Sequence, residues 1–507
     1  MFSKDHLLHM ARSIYANLPL SYPIKSRIRE ALSPILQTLR SDKSGLALWA
    51  EFQKSVASRS GSAEWTGPGE QALAQLLKEL AKHCNSHGPI GNIIALPFMS
   101  SGGAERVALN FARAFRELQP DSAVLIVIAD RPLKNDRIAL PKGLMVVVLD
   151  DYLPRGTNET QRLHFLKSLI QAVKPHIFHN INSETAWKLI INEGPLLSKI
   201  TRIFASIFAF QYLPRTGRKT GYAAYFLQPA LPHIHGLLSD NRRFIVDAIA
   251  EYNLDPASRA KLHLVYNPSR LSEGHDPNDV YNVARVQNDN SLHRRLQVLW
   301  AGRLDAEKRI DLLYDIARNC NFADFIVFGQ RVVDDESEPP ALPNLVFMGG
   351  FSDPREFVTE RTFDAFIFTS RWEGLPNILL EVGLLEIPVV APVVGGVGEL
   401  ISETTGYPLP EKASVQDYEH ALKEIMAHPE AAVTRALSLK KLIQTRHSWD
   451  AFINGMKAVP GYVPTGQINE RSHRPAPQTE DPTVSIIIPC YNQGRYLYES
   501  VSSALLA

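Results

Sequence analysis

The sequence predicts an α/β protein made of two successive units, each a parallel β-sheet covered by helices on both faces. Three observations carry that expectation. From residue 91 onward, short runs rich in β-branched and aromatic residues alternate with stretches of helical periodicity, as in a parallel sheet with helical crossovers. The alternation pauses once, in the polar stretch SEGHDPNDVYNVARVQNDNSLHRR, and then resumes. The chain has 507 residues, enough for three or more domains at roughly 150 residues each.

Residues 1–90 show helical periodicity and little strand signal. In SYPIKSRIREALSPILQTLR the apolar positions Ile24, Ile28, Leu32, Ile35 and Leu39 recur at steps of three and four among Lys25, Arg27, Arg29 and Arg40. Such a helical extension either packs on its own domain or lies as a basic amphipathic element on a membrane surface. The first α/β unit spans 91–271, with strands in IGNIIALPF, AVLIVIAD, LMVVVLDD, HIFHNI, RIFASIFAF and KLHLVYNP and helices in AERVALNFARAFREL and RLHFLKSLIQAVK. The second spans 272–459, with strands in LQVLWAGR, FADFIVFG, LVFMGG, FDAFIFTS and PVVAPVV. Residues 460–482, rich in Pro and polar side chains, read as a flexible linker. The last segment, 483–507, starts a further strand and helix.

Composition narrows the function classes. A formal net charge of +1 argues against nucleic acid as the main partner. The cysteines Cys84, Cys320 and Cys490 lie too far apart for a disulfide framework or a zinc cluster, which fits a reducing, cytoplasmic setting. The N-terminal residues lack the apolar core of a signal peptide and no run approaches the length of a membrane span, so contact with a membrane would be peripheral.

Candidate chemistry concentrates in the second unit. The stretch TSRWEGLPNILLEVGLLEIPVVA reads as protein interior except for Glu373 and Glu381. A carboxylate left unpaired against apolar surface costs several kcal/mol or is forced to take up a proton, so its retention calls for a purpose. Phe366, Ile367 and Phe368 predict a buried strand, and Pro376 suits the start of a helix. Glu373 then lies in a strand-to-helix loop at the carboxyl edge of the sheet, where open α/β folds bind ligands, and Glu381 lies inside the helix. In LWAGRLDAEKRIDLLYDIARN, Gly302 allows a tight exit from a strand, with Asp305 as a candidate cap. Arg303 and Lys308 flank the helix start and either bind a diphosphate or serve as surface bases. Two glycine turns accompany them: Ser100 to Gly103 in the first unit, and Gly395, Gly396 and Gly398 in the second. In both, backbone can approach an anion or a sugar closely. The first lacks the G-x-G-x-x-G spacing of a dinucleotide site.

Gly302, Arg303, Leu304 and Lys308, then Glu373, Gly374 and Pro376, then Glu381, then Gly395 to Gly398 stand in an order and spacing that resembles the GT-B glycosyltransferases of the retaining family 4 type. SSGGAERV resembles the glycine loop of that family's first domain, and the likeness covers roughly residues 91–457. It implies two Rossmann-like domains facing a central cleft, with a last helix that crosses back to brace the first domain. It implies a nucleotide diphosphate sugar as donor. The presence of a second transferase start after it points to a glycan or lipid-linked acceptor of surface polysaccharide synthesis, in the cytoplasm or at the inner face of the membrane. No divalent metal or other cofactor is implied.

By the resemblance, Glu373, Arg303 and Lys308 are the catalytic set, with the cations on the diphosphate leaving group and Glu373 near the anomeric carbon. Donor binding adds Gly374, Asn377, Ile378, Gly102 and Gly103, and Glu381 accepts from the ribose hydroxyls. His179 matches a histidine often present in the family and is the acceptor-side candidate. Where many members carry a histidine at the end of a first-domain strand, FASIFAFQYLPR has Phe210 and Gln211 instead. An epimerase or hydrolase of sugar nucleotides on the same fold, and a catalytically silent scaffold, are the other two readings. Residues 483–507 resemble the start of a GT-A family 2 type transferase whose acidic metal-binding residues would come later, which leads us to expect a truncated second domain.

Overall fold

The computed structural model describes residues 68–99, 103–130, 144–154, 156–213, 216–269, 295–330, 341–351, 353–359 and 361–464. Most of the N-terminal extension, the polar stretch between the two units, the linker beyond 464 and the whole 483–507 segment lie outside them, as do Ser100, Ser101 and Gly102.

After a helix α1 (Pro68–His87), the first sheet is formed by β1 (Ile90–Leu96), β2 (Ala123–Ile128), β3 (Leu144–Val148), β4 (Ile177–Ile181), β5 (Arg202–Ser206), β8 (Gly236–Ser239) and β9 (Leu262–Leu264). A small antiparallel pair, β6 (Gln211–Tyr212) and β7 (Lys219–Thr220), follows β5. The strand order is β3-β2-β1-β4-β5-β8-β9, parallel throughout. The second sheet comprises β10 (Leu296–Ala301), β11 (Ala323–Phe328), β12 (Leu345–Gly349), β13 (Ala365–Ile367), β14 (Val389–Pro392) and β15 (Tyr407–Leu409), in the order β12-β11-β10-β13-β14-β15, again parallel. Every residue of β2 and β4 is buried, because helices cover both faces. The strand runs read from sequence are present, while β8 and β15, of four and three residues, are too short to announce themselves by periodicity.

Both sheets reverse their winding direction beside the first strand, between β1 and β4 and between β10 and β13. The loops leaving those strands turn to opposite faces and open a crevice at the carboxyl edge, the place where doubly wound sheets bind ligands. The loop after β1 leads into α2 (Gly103–Leu118). In the second sheet the loop after β10 holds residues 302–309, and the loop after β13 leads into a helix at Asn377–Leu384.

The chain crosses between the units twice. Outbound, Asn267 and Ser269 are tied to His447 on the return pass: the Ser269 N–H donates to the His447 carbonyl at 2.9 Å, and His447 Nδ1 lies 2.8 Å from the Asn267 carbonyl. Burial lowers the His447 pKa to about 4, so the ring is neutral. The last helix, Trp449–Ala458, does return to the first unit: Phe452, Ile453, Met456 and Val459 pack with Ile94, Phe111 and Phe115. Tyr462 joins the same cluster with no exposed surface, so the compact unit runs to Val463 and includes the first few residues expected as linker. Among the described residues, no helix is long and apolar enough to cross a membrane.

Candidate donor site in the cleft between the sheets

The two loops of the second sheet are stitched together by backbone and side-chain hydrogen bonds. Arg371 N–H donates to the Glu307 carbonyl at 3.0 Å, Thr369 Oγ1 donates to the Lys308 carbonyl at 2.5 Å, and Trp300 Nε1 donates to Thr369 Oγ1 at 2.9 Å. These bonds bring Lys308 to Glu373, and the two form an ion pair with side chains only 18% and 12% exposed. Arg303 stands beside them, paired with Asp305 at 3.3 Å and Glu307 at 3.2 Å. Glu307, which the sequence reading did not single out, has its pKa raised by burial and by the Glu373 charge. Asp305 caps the Lys308 N–H at 2.9 Å and so shapes the turn rather than the helix, whose N-cap is Arg309 in the left-handed region. The three residues expected as the catalytic set therefore stand in one cluster of alternating charge at the switch point.

The glycine turn at 395–398 packs on the loop that carries Glu373. Gly395 has φ +52°, and a Cβ there would come within 1.9 Å of the Glu373 carbonyl oxygen. Gly396 N–H donates to the Gly374 carbonyl at 2.9 Å. The turn is thus packed against the backbone that carries Glu373 and supports it. A Cβ on Gly374 would meet Phe208 at 2.7 Å and the Asp240 carboxylate at 3.1 Å, so the first unit touches this loop directly.

Asp240 follows β8 and is buried. It accepts from Asn241 at 2.7 Å, from Asn267 at 3.2 Å and from the Leu375 backbone N–H. Burial pushes its pKa up to about 7, against the pull of those hydrogen bonds. A second cross-unit tie is Glu399, which accepts from the Arg242 and Arg243 N–H groups at 2.7 and 3.0 Å and from the Tyr266 hydroxyl at 2.6 Å.

Glu381, 3% exposed, is answered from the other side of the cleft by Arg106 of α2. Arg106 belongs to SSGGAERV but was not among the expected site residues. One local signal points to it: it is a cation in the first turn of a helix, where the macrodipole disfavours positive charge. Gly103 at the start of α2 approaches Asn377, with a Cβ position 3.5 Å from its Nδ2. Asn377 and Ile378 are half-buried at the head of their helix, so the expected donor residues that are described converge on one cleft. His179 is not brought to it. The ring has no exposed surface, Nε2 lies 2.8 Å from Ser206 Oγ and Nδ1 2.7 Å from the Tyr462 hydroxyl. Burial holds it neutral, with a pKa lowered to about 3.

Beside Glu373 the two units line a half-open cleft of about 520 Å³. Among the described residues, no group of three or more His, Cys, Asp or Glu side chains is placed to hold a metal ion.

Residues 295–428 match the family described as glycosyl transferases group 1. A GDP-mannose-dependent alpha-mannosyltransferase of Mycobacterium tuberculosis is 28% identical over 157 residues, covering 30% of this chain and 40% of that protein. The matched part spans less than half the length of the curated relatives found. Among solved structures, Alr3699/HepE of Anabaena in complex with UDP and glucose superposes with a TM-score of 0.54 at 14% identity, covering 73% of this chain and 98% of that one. The lipopolysaccharide outer core galactosyltransferase WaaB in its apo form also gives a TM-score of 0.54, at 16% identity over 73% of this chain and 98% of its own. The fold is GT-B: two Rossmann-like domains facing a cleft.

Proposed function

We propose that this chain moves a sugar from a nucleotide diphosphate sugar to a hydroxyl of a glycan or lipid-linked acceptor, with retention of anomeric configuration, in surface polysaccharide synthesis at the cytoplasmic face of a membrane. One observation carries the reading: two cations from one stretch of sequence and two carboxylates from another gather at the second sheet's switch point and face a glycine-led helix of the first domain. The names of the mannosyltransferase and of the UDP complex among its relatives support a nucleotide-sugar donor.

In this reading the diphosphate competes with Glu373 for Lys308 and with Asp305 and Glu307 for Arg303. As the bond between the anomeric carbon and the phosphate oxygen breaks, its electron pair moves onto the diphosphate, where the two cations stabilise the growing charge. The acceptor oxygen forms the new bond on the same face of the sugar, and its proton passes to the departing phosphate. Glu373 opposes the positive charge that develops on the sugar, and Glu381 accepts from the ribose hydroxyls. A binding ribose therefore displaces Arg106 from Glu381 or shares the carboxylate with it.

The test is a thermal-shift screen of UDP- and GDP-linked sugars, followed by NMR of the anomeric configuration of the product. A ligand at about 100 times its Kd stabilises by about 2.7 kcal/mol, a shift of several degrees. No shift with any nucleotide sugar would remove the donor assignment, and a product of inverted configuration would remove the retention.

A further inference from the structure

Each charge of the candidate donor site is answered in this structure by an opposite charge of the protein. Lys308 holds Glu373, and Arg303 holds Asp305 and Glu307, both within the second domain. The third pair differs, because Arg106 reaches Glu381 from α2 and so joins the two domains across the cleft. It also sits on the carboxylate assigned to the donor's ribose. A ribose cannot use that carboxylate fully while the guanidinium stays.

Where the guanidinium goes is decided by its surroundings. On its own helix no acid stands three or four residues away, since those positions are Gly102, Gly103, Leu109 and Asn110. Glu105 is adjacent in sequence, and adjacent residues on a helix do not face each other. On the facing helix, Asn377–Leu384, the one acid is Glu381 itself, and Glu373 in the loop before it is taken by Lys308. Arg106 lies in the first turn of α2, where the macrodipole disfavours a positive charge unless an anion is near. With 28% of its side chain exposed, it can turn without unpacking the core. Its departure from Glu381 therefore requires an incoming anion.

A nucleoside diphosphate brings that anion on the very ring that displaces the guanidinium, because the α-phosphate is carried by the 5′ carbon of the ribose. The backbone points the same way. Gly103 brings the head of α2 against Asn377, four residues beyond Glu373 and so beside the Lys308 pair. We infer that Arg106 is an exchange ligand: in the empty site it masks Glu381, and when ribose hydroxyls take that carboxylate it transfers to the α-phosphate of the same molecule, a third cation supplied by the first domain. The inference rests on the donor reading above. The exchange makes the site demand both parts of the ligand together. A phosphate without ribose hydroxyls leaves Arg106 on Glu381, and a nucleoside without phosphate leaves a cation unanswered in the first turn of a helix.

The experiment titrates the intact chain with UDP and GDP, and with their 2′,3′-dideoxy analogues, by isothermal calorimetry. The analogues keep both phosphates but offer Glu381 no hydroxyl, so Arg106 stays in place. Arg106→Gln should weaken the ribonucleoside diphosphate that binds by about tenfold or more, as for loss of a charge-assisted hydrogen bond, and its dideoxy analogue by less than about threefold. Glu381→Gln releases Arg106 without any ribose. It should therefore bind the dideoxy analogue about threefold tighter than the wild-type protein does, while binding the ribonucleoside diphosphate more weakly. This variant leaves no charge buried, so it tests the exchange even if Arg106→Gln fails to fold. Equal losses for the two ligands in Arg106→Gln, or no gain for the analogue in Glu381→Gln, would overturn the inference. So would tighter binding of the ribonucleoside diphosphate by Arg106→Gln, which would make Arg106 a competitor of the ligand alone. If neither UDP nor GDP binds the wild-type protein, the donor reading falls and the exchange with it; if one binds without this pattern, the exchange alone falls.

Discussion

At the switch point of the second sheet, the loop after β10 carries Arg303, Asp305, Glu307 and Lys308 and is pinned to the loop that presents Glu373. The matching loop of the first sheet leads into a helix that begins at Gly103 and sends a cation, Arg106, across to Glu381. Strand order is the same in both places, and so is the crevice it opens. The contrast teaches that the fold supplies position while the chemistry comes from a few side chains. Here the charge proposed to hold a diphosphate is concentrated on one half, and the other half contributes Arg106 and aromatic side chains to the cleft.

The largest expected effect breaks the charged half. Lys308→Ala removes one of two leaving-group cations and leaves Glu373 without its ion partner, so kcat/KM for the nucleotide sugar should fall by about 10²- to 10³-fold, as for loss of one transition-state donor. A value within a few-fold of wild type would show that the diphosphate lies elsewhere. The two carboxylates sharpen the same point: Glu373→Gln should lower mainly kcat, and Glu381→Gln should raise mainly KM.

On the closing half, Arg106→Ala takes the cation away from a nearly buried carboxylate. Breaking such a pair costs about 3 kcal/mol, reduced by the partial exposure of Arg106. Chemical denaturation should show that loss, and the double variant with Glu381→Gln should recover much of it. Independent, additive losses would mean that the cross-cleft pair contributes little.

A smaller effect concerns the seam between the halves. The pKa of Asp240 is raised in the fold to about 7 from an ordinary aspartate value near 4, so between those limits the folded state holds a proton that the unfolded state has released. Stability from this group is therefore present at low pH and is lost as pH rises towards 7. Between about pH 5.5 and 7.5 the loss should be about 1 to 2 kcal/mol. Asp240→Asn should flatten that slope in a pH series of melting curves, and an unchanged slope would place the titration elsewhere.

The smallest effect is at the returning helix. Tyr462→Phe strips His179 Nδ1 of its partner and should cost about 1 kcal/mol by denaturation. A cut after Pro464 should spare this core, whereas a cut at 460 removes Tyr462 and should lower the melting temperature measurably. Equal stability of the two truncations would show that Tyr462 braces nothing.

Much of the second domain was legible because its information is local. β10, β11 and β13 are short apolar runs, Pro376 marks the entry to a helix, and Glu373 and Glu381 contrast with their apolar neighbours within one stretch. The glycine turn was read for its composition, and its role appeared only when Gly395 proved to lie against the Glu373 carbonyl. His179 was the acceptor-side candidate through the family resemblance, and the structure places it in the middle of β4. The deciding fact is a tyrosine 283 residues later that closes over it.

The sequence by itself determined the two-unit α/β architecture and the place of each loop at a strand's carboxyl edge, which follow from periodicity and turn chemistry within a few residues. It also singled out four charged residues, whose assignment to a donor came from the family resemblance. Only the tertiary structure decided that Arg106 answers Glu381 over a separation of 275 residues, that Asp240 supports the Glu373 loop, and that Tyr212 and Trp372 line one cleft. The physical reason is that a buried charge or an unpaired polar atom costs the same wherever its partner lies in the chain. The partner is therefore set by the packing of one sheet against the other, which local pattern does not encode.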